Sequence, residues 1–357
     1  MYDTSKMIKQ FLKDHVSLSQ SELDDIKSKR DRNLKRVEDG LAENGKPSIV
    51  QSINQGSYAM QTMVQTPEQD DSRYDIDLGV SFDSEESKTP KTTRGWVKDA
   101  LAAKASNMKN EPEDKGKCIR IVYADGYQCD FPVFRKITNA DNTSSYEVAL
   151  NDDWEPSDPN AINKWFNDRV STLSPEIEGP YQLRRVVKLI KFYSKTWQGS
   201  SNTHYPSGLL LTAITVQCFK ACADRDDEAL YGTLKSISLI NENLPVFANG
   251  IQISREKDVV RIKRLKDRAV KAIEHLDGLH NDADMDNDEA RKCWKKVYKH
   301  SFFDPVVNSS ETSKSARFES ATKSSTLLGI GIAESTARAE ALAKANPSPT
   351  KPWGTQS

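Results

Sequence analysis

Apolar and polar residues alternate cleanly in one stretch: Ile76, Leu78, Val80 and Phe82 are separated by Asp75, Asp77, Gly79 and Ser81. A period of two predicts a strand with Ile76, Leu78, Val80 and Phe82 on a buried face and Asp75 and Asp77 together on a wet one. Residues 118–123 predict a second strand. Ala124-Asp125-Gly126 then forms a tight turn, since Asp-Gly tolerates positive φ, and residues 127–133 return as the partner strand. On that partner Asp130 shares a face with Gln128, while Cys129 and Phe131 face the other way. Asp125 is accounted for by the turn. Residues 48–54 read as a first core strand or as the lead into a Gly-Ser turn, and residues 146–150 as a further strand.

Elsewhere the period is helical. A short helix covers residues 4–16. Ser19 and Glu22 form a capping box for a long helix to Ala42, with Leu23, Ile26, Leu34, Val37 and Leu41 on its buried face. A helix over residues 96–105 turns Val97 and Leu101 inward. From Pro159 the chain becomes nearly all helical. Asp158-Pro159 opens a helix through Trp165, Phe166 and Val170. Residues 181–198 follow, with Leu183, Val186, Val187, Ile190 and Trp197 on one stripe and Arg184, Lys188, Lys191 and Lys195 on another. Ser207 begins an apolar helix running to Ala223. Further helices span residues 226–239, 255–279 (broken at Asp277-Gly278) and 288–300. Beyond Pro305 the chain is rich in Ser, Thr, Ala and Lys, which predicts a flexible tail with one marginal helix at 334–345.

The chemistry gathers on the strands. Gly56-Ser57, between Gln55 and Tyr58, can offer backbone N–H groups and a hydroxyl to phosphate oxygens. Asp75 and Asp77 on one face suit Mg²⁺, a hard cation that prefers oxygen ligands, with Mn²⁺ as a substitute. Asp130 adds a third carboxylate. Three converging carboxylates predict a two-metal site: one ion to activate an attacking hydroxyl, the other to hold a triphosphate and its leaving pyrophosphate. Ser207 has a capping residue type at the positive end of a helix dipole.

Gly56-Ser57, then Asp75-Ile76-Asp77, then a distant Asp130 resembles the nucleotidyltransferase superfamily with a polymerase-β-like core. More narrowly, Gln55-Gly56-Ser57-Tyr58 with Tyr74-Asp75-Ile76-Asp77-Leu78-Gly79-Val80 resembles the bacterial cGAS/DncV-like nucleotidyltransferases over residues 1–305. The spacing from Ser57 to Asp75 is longer than usual, through an insert at 67–72 in which Asp70 and Asp71 read as loop residues. The resemblance implies an α+β fold: a nucleotidyltransferase core with a mixed sheet and N-terminal helices (residues 1–155), packed on a helical lobe (156–305), with the tail at 306–357. It implies Asp75, Asp77 and Asp130 as catalytic metal ligands. It also implies that Gln55, Gly56, Ser57, Lys191 and Ser207 bind nucleotide, Lys191 matching a phosphate-binding lysine and Ser207 a second phosphate contact. The implied activity is a cyclic di- or trinucleotide synthase that makes second messengers in anti-phage defence. The substrates it implies are nucleoside triphosphates, ATP first, with GTP, CTP and UTP as further candidates. The alternatives are a nucleotidyltransferase acting on RNA 3′ ends or a small-molecule acceptor, and a catalytically silent scaffold, which three intact carboxylates argue against.

Composition narrows this. Across 357 residues, Lys and Arg (51) balance Asp and Glu (52) to a net charge of −1, so the whole chain carries no nucleic-acid footprint. No nucleic-acid activator and no membrane partner are expected, and the start Met1-Tyr2-Asp3-Thr4 points to a cytoplasmic protein. A regulatory protein partner is left open at the tail. The five cysteines show no zinc spacing. Cys118 and Cys129 read as core thiols on adjacent strands, and Cys218 and Cys222 as packing residues on the apolar helix. His204 is notable only for lying near Ser207.

Overall fold

The computed structural model describes residues 1–66, 74–104, 107–176, 179–198 and 205–305. The acidic insert at 67–72, His204 and the tail with its expected helix lie outside them. Residues 1–305 form one compact unit.

The N-terminal segment is α1 (Ser5–Phe11), running into a π-helical turn at Leu12–Val16, then α2 (Gln20–Glu43). The Ser19–Glu22 capping box is present: the Ser19 side chain accepts from the Glu22 N–H, and the Glu22 carboxylate accepts from the Ser19 N–H. Ile26, Val37 and Leu41 are buried as expected, but Leu23 is exposed. The buried stripe starts one turn later than the pattern implied, at Ile26.

β1 (Gln51–Gln55) leads into a single helical turn, α3 (Gly56–Ala59). β2 (Tyr74–Asp83) is the central strand. Its Ile76, Leu78, Val80 and Phe82 side chains are essentially inaccessible. α4 (Pro90–Lys104) starts earlier than the predicted Trp96, because Pro90 occupies its first position and the Thr89 hydroxyl accepts from the Thr92 N–H. Next come β3 (Glu113–Asp114), β4 (Ile119–Val122), β5 (Tyr127–Phe131), β6 (Val133–Thr138), β7 (Ser144–Leu150) and β8 (Asp153–Pro156).

These strands form an eight-stranded mixed sheet of order β3-β4-β5-β2-β6-β7-β8, with β1 on the other edge of β2. β1 is antiparallel to β2, whereas β5 and β6 pair in succession with the two halves of β2 and run parallel to it. The predicted return strand is therefore longer than expected and is interrupted at Pro132, which has no N–H to contribute to a ladder. Residues 133–138 alternate too weakly to have been read as a strand, since Arg135, Lys136 and Ile137 are all only half-buried.

α2 and α4 cover one face of the sheet and pack against each other. At their crossing Gly40 meets Ala100 so closely that a Cβ on Gly40 would lie 2.6 Å from the Ala100 backbone. Gly40→Val is expected to cost about 1–3 kcal/mol by overpacking this contact, read as a lowered Tm.

The remaining helices are α5 (Ala161–Leu173), α6 (Gln182–Gln198), α7 (Gly208–Cys218), α8 (Asp226–Ser238), then a short hairpin of β9 (Phe247–Ala248) with β10 (Ile251–Gln252), then α9 (Val259–Leu276), α10 (Gly278–Asn281) and α11 (Asn287–Tyr298). α7 ends at Cys218, short of the expected Ala223, because Phe219 turns to extended backbone. Cys222 thus lies off the helix and half-exposed, while Cys118, Cys129 and Cys218 are buried. α6 is the axis of this helical cluster, with Val186, Leu189, Ile190 and Tyr193 packed among α7, α8, α9 and α11. α1 belongs to the same cluster: the Thr4 N–H and hydroxyl both donate to buried Asp227, and Trp294 donates to the Thr4 oxygen.

Candidate active site

The site begins where β1 gives way to α3. Gly56 has φ +62°, a left-handed conformation that costs a non-glycine residue about 1–2 kcal/mol. Its missing side chain matters more, because a Cβ there would sit 2.1 Å from Asp77 Oδ2. The glycine thus turns the chain and leaves room beside a carboxylate. Gly56→Ala is expected to displace the Asp77 side chain. We expect a stability loss of about 1–2 kcal/mol from the backbone alone, and an activity loss near 10²-fold from a misplacement on the order of 1 Å. Thermal melts and turnover measured on one preparation check both.

Strand register then assembles the acids. In the β2–β5 ladder Asp77 lies opposite Asp130 and Asp75 opposite Gln128. Ligand oxygens of Asp75, Asp77 and Asp130 all fall within 4.8 Å of one another. Gln128 Nε2 donates to Asp75 Oδ1 at 3.0 Å. Asp130, only 5 % exposed, is gripped from β4 by Arg120, whose Nε and Nη2 donate to its two oxygens at 2.7 and 2.6 Å. Arg120 therefore supplies a fixed positive charge at the back of the cluster, oriented as a two-pronged clamp.

Crowding is visible in the proton affinities. Desolvation, then Asp75, then Asp130 push the Asp77 carboxyl up to about 7. Asp75 is raised in the same direction, by desolvation first and by Asp130 second. Three carboxylates held this close favour either protons or a cation between them. The donor set is all oxygen, and Gly56 leaves Asp77 Oδ2 uncovered, so these residues fit a divalent metal.

Beside the acids lies a cleft of about 330 Å³ whose lining includes Ser57, Asp75, Lys191, Lys195, Tyr205 and Ser207. Lys191 projects from α6 and is 6 % exposed. Its Nζ donates to the Thr62 hydroxyl at 2.8 Å and toward the Thr62 carbonyl at 3.4 Å. Burial, and then repulsion from Lys195 and Lys188, lower its pKa to about 7. Ser207 caps α7, its hydroxyl accepting from the Leu210 N–H, and a Cβ on Gly208 would lie 3.9 Å from Lys191 Nζ. A helix N-terminus and a buried amine thus converge on one spot, an arrangement suited to an anion.

Every sequence-predicted site residue can now be placed. Asp75, Asp77 and Asp130 form one cluster, with Gly56 against Asp77. Ser57, Lys191 and Ser207 line the adjoining cleft. Gln55 pairs with Asp77 across β1 and β2, but its side-chain amide donates to the Pro159 carbonyl and ties the sheet to the start of α5. The basic stripe of α6 divides: Lys191 and Lys195 line the cleft, while Arg184 bonds Asn167 and Lys188 reaches Ser17. Two of the four cations on that stripe thus face the cleft. Sequence reasoning missed Arg120, Gln128 and Thr62 as site residues. Arg120 was within reach, because a hairpin turning at Asp125-Gly126 sets residue 120 opposite residue 130.

Comparison with known proteins gives the same frame. Residues 50–134 match the family described as "Cyclic GMP-AMP synthase DncV-like, nucleotidyltransferase domain". That span holds β1, the Gly56 turn, β2 and the hairpin with Asp130. The fold is similar to that of Vibrio cholerae DncV cyclic AMP-GMP synthase in complex with a nonhydrolyzable GTP (TM-score 0.65, 16 % identity, 85 % of this chain and 97 % of that one). It is also similar to E. coli CdnC with ATP (TM-score 0.60, 15 % identity, 85 % and 99 %). A V. cholerae DncV variant with ATP and GTP matches at TM-score 0.63, 15 % identity, 87 % and 98 %.

Proposed function

We propose, from the match of residues 50–134 to the DncV-like nucleotidyltransferase domain, that the protein joins nucleoside triphosphates into a cyclic oligonucleotide, a second messenger in anti-phage defence made in the cytoplasm. The observation that carries the reading is the β2–β5 register. It brings Asp75, Asp77 and Asp130 within 4.8 Å of one another beside a cleft that presents Lys191 and the start of α7.

In this reading the triphosphate lies along the cleft. Its oxygens accept from Ser57, from the protonated Lys191 amine and from the N-terminal N–H groups of α7 beside Ser207. The α-phosphorus faces the three carboxylates. A ribose hydroxyl oxygen of a second nucleotide forms the new P–O bond in line, while the α–β bridging P–O bond breaks and its electrons leave on pyrophosphate. The hydroxyl proton leaves through an oxygen of the carboxylate cluster to solvent. A repeat of the step closes the ring. Asp75, Asp77 and Asp130 would hold Mg²⁺ or Mn²⁺, which when bound supplies charge neutralisation at the phosphates and acidifies the attacking hydroxyl. Gln128 and Arg120 keep two of the three carboxylates oriented without substrate, so positioning contributes to the rate from the start. The fold relatives were captured with ATP or GTP, which supports those two nucleotides as substrates.

The test is incubation of the pure full-length chain with α-labelled nucleoside triphosphates and Mg²⁺ or Mn²⁺. A small labelled product that resists phosphatase, formed together with pyrophosphate, is expected. Label that appears only on added RNA or on an added small acceptor would overturn the cyclic-product reading.

A further inference from the structure

The half of the α6 basic stripe that turns away from the cleft has its own cavity. A groove of about 840 Å³ runs between the π-helical turn at Leu12–Val16 and α6, with Lys13, Arg184 and Lys188 on its walls beside Leu12, Pro180 and Tyr181. Arg185, on the same groove, is satisfied by Glu176 and Asp226. Lys13, Arg184 and Lys188 are different: among the described residues none of them makes an ion pair. Arg184 donates one Nη2 hydrogen bond to Asn167, and its buried Nε has no partner. Among the described residues Lys188 reaches only the Ser17 hydroxyl, at 3.4 Å. Burial lowers the proton affinity of both, and Arg184 adds repulsion to Lys188.

Two half-buried cations one helical turn apart repel each other. A buried donor with no acceptor is costly unless an acceptor arrives. The apolar walls and the unpaired cations together match a ligand with a flat ring at one end and several anionic oxygens at the other. The volume lies within the range of small-molecule sites. The balanced charge of the whole chain, −1, offers no extended positive field for a long polyanion.

We propose that this groove is a second binding site, separate from the cleft, for a nucleoside polyphosphate, with its phosphates on Lys13, Arg184 and Lys188 and its base against Leu12 and Tyr181. The site stands apart from the chemistry because Lys191 and Lys195, further along α6, line the other cavity.

Equilibrium dialysis of the full-length chain with labelled α,β-methylene-ATP, which cannot be cleaved at the α-phosphorus, tests it. Wild type is expected to bind three equivalents, the donor and acceptor nucleotides at the active site and one in the groove. Lys13→Gln with Arg184→Gln should weaken one of the three at least about tenfold and leave the other two unchanged. Lys191→Met should instead weaken the donor equivalent in the cleft and leave the groove equivalent unchanged. Lys13→Gln alone, an exposed change that leaves the fold untouched, should weaken the groove equivalent several-fold. Unchanged stoichiometry and affinity in the double variant would sink the proposal. So would a double variant that loses retention of a single-stranded RNA oligomer while keeping every nucleotide equivalent. If Lys191→Met changes nothing while the double variant loses its equivalent, the groove stands and the cleft assignment falls.

Discussion

Asp77→Asn is expected to lower nucleotidyl transfer by about 10³-fold or more while making the metal-free protein more stable at alkaline pH. The activity loss follows from removing one of three carboxylates that hold charge at the reacting phosphorus, an effect worth several kcal/mol. The stability gain follows from the same crowding. In the unfolded chain the Asp77 carboxyl titrates near 3.8, whereas in the folded protein desolvation and its two acidic neighbours push it up to about 7. Between those values the unfolded chain has released a proton that the folded chain still holds, so stability falls as pH rises through that window. It then stays lower by an amount on the order of a few kcal/mol. Asparagine carries no such penalty. In EDTA the variant should melt several degrees above wild type at pH 8 and level with it at pH 4. Adding Mg²⁺ should raise the wild-type Tm and move the variant much less. A variant that melts with wild type at both pH values would show that the three carboxylates do not repel one another in the folded state.

The acidic cluster was legible because a strand has a period of two. Asp75 and Asp77 had to share a face once Ile76 and Leu78 were placed in the core, and the Asp125-Gly126 turn set the phase of β5 and hence of Asp130. That β5 lies beside β2, and in the register that sets Asp130 opposite Asp77, is a long-range fact that no local pattern contains. The family resemblance supplied it. Lys191 and Ser207 were found through the same resemblance, and both line the cleft.

What escaped reading had specific causes. β8 and β3 are short and largely exposed edge strands with no apolar alternation. The division of the α6 cations was hidden because four charges spaced three or four apart look like one stripe. α6 is buried on nearly all sides, so its charged residues leave by two different openings. Leu23 misled in the opposite sense: its phase suits the buried stripe, yet the side chain is exposed. Gln55 shows a motif residue whose side chain is occupied by a structural hydrogen bond to Pro159.

Lys191→Met carries the second large expectation, and its sign is opposite for the empty protein and for catalysis. Among the described residues Lys191 has only the Thr62 hydroxyl and carbonyl as hydrogen-bond partners, and burial with two neighbouring lysines lowers its pKa from 10.5 to about 7. Between those values the unfolded chain binds a proton that the folded chain has lost, so wild-type stability rises with pH across that window. At and below neutrality the buried ammonium is a cost on the order of a few kcal/mol. Methionine, similar in length and uncharged, removes that cost. The variant should therefore melt above wild type at pH 6, with the gap closing toward pH 10. Turnover moves the other way. A triphosphate in the cleft needs the charged amine, and losing a charge-assisted contact of this kind should reduce kcat/KM by about 10- to 150-fold. Because binding recharges Lys191, wild-type nucleotide affinity should fall by up to about tenfold per pH unit above 7, and the methionine variant should show a flat profile over the same range. Calorimetry across pH 6.5–9 in buffers of different ionisation enthalpy reads the proton uptake directly. If wild type takes up no proton on binding nucleotide, or if the variant keeps the pH dependence, then the amine buried against Thr62 is not the group that receives the triphosphate.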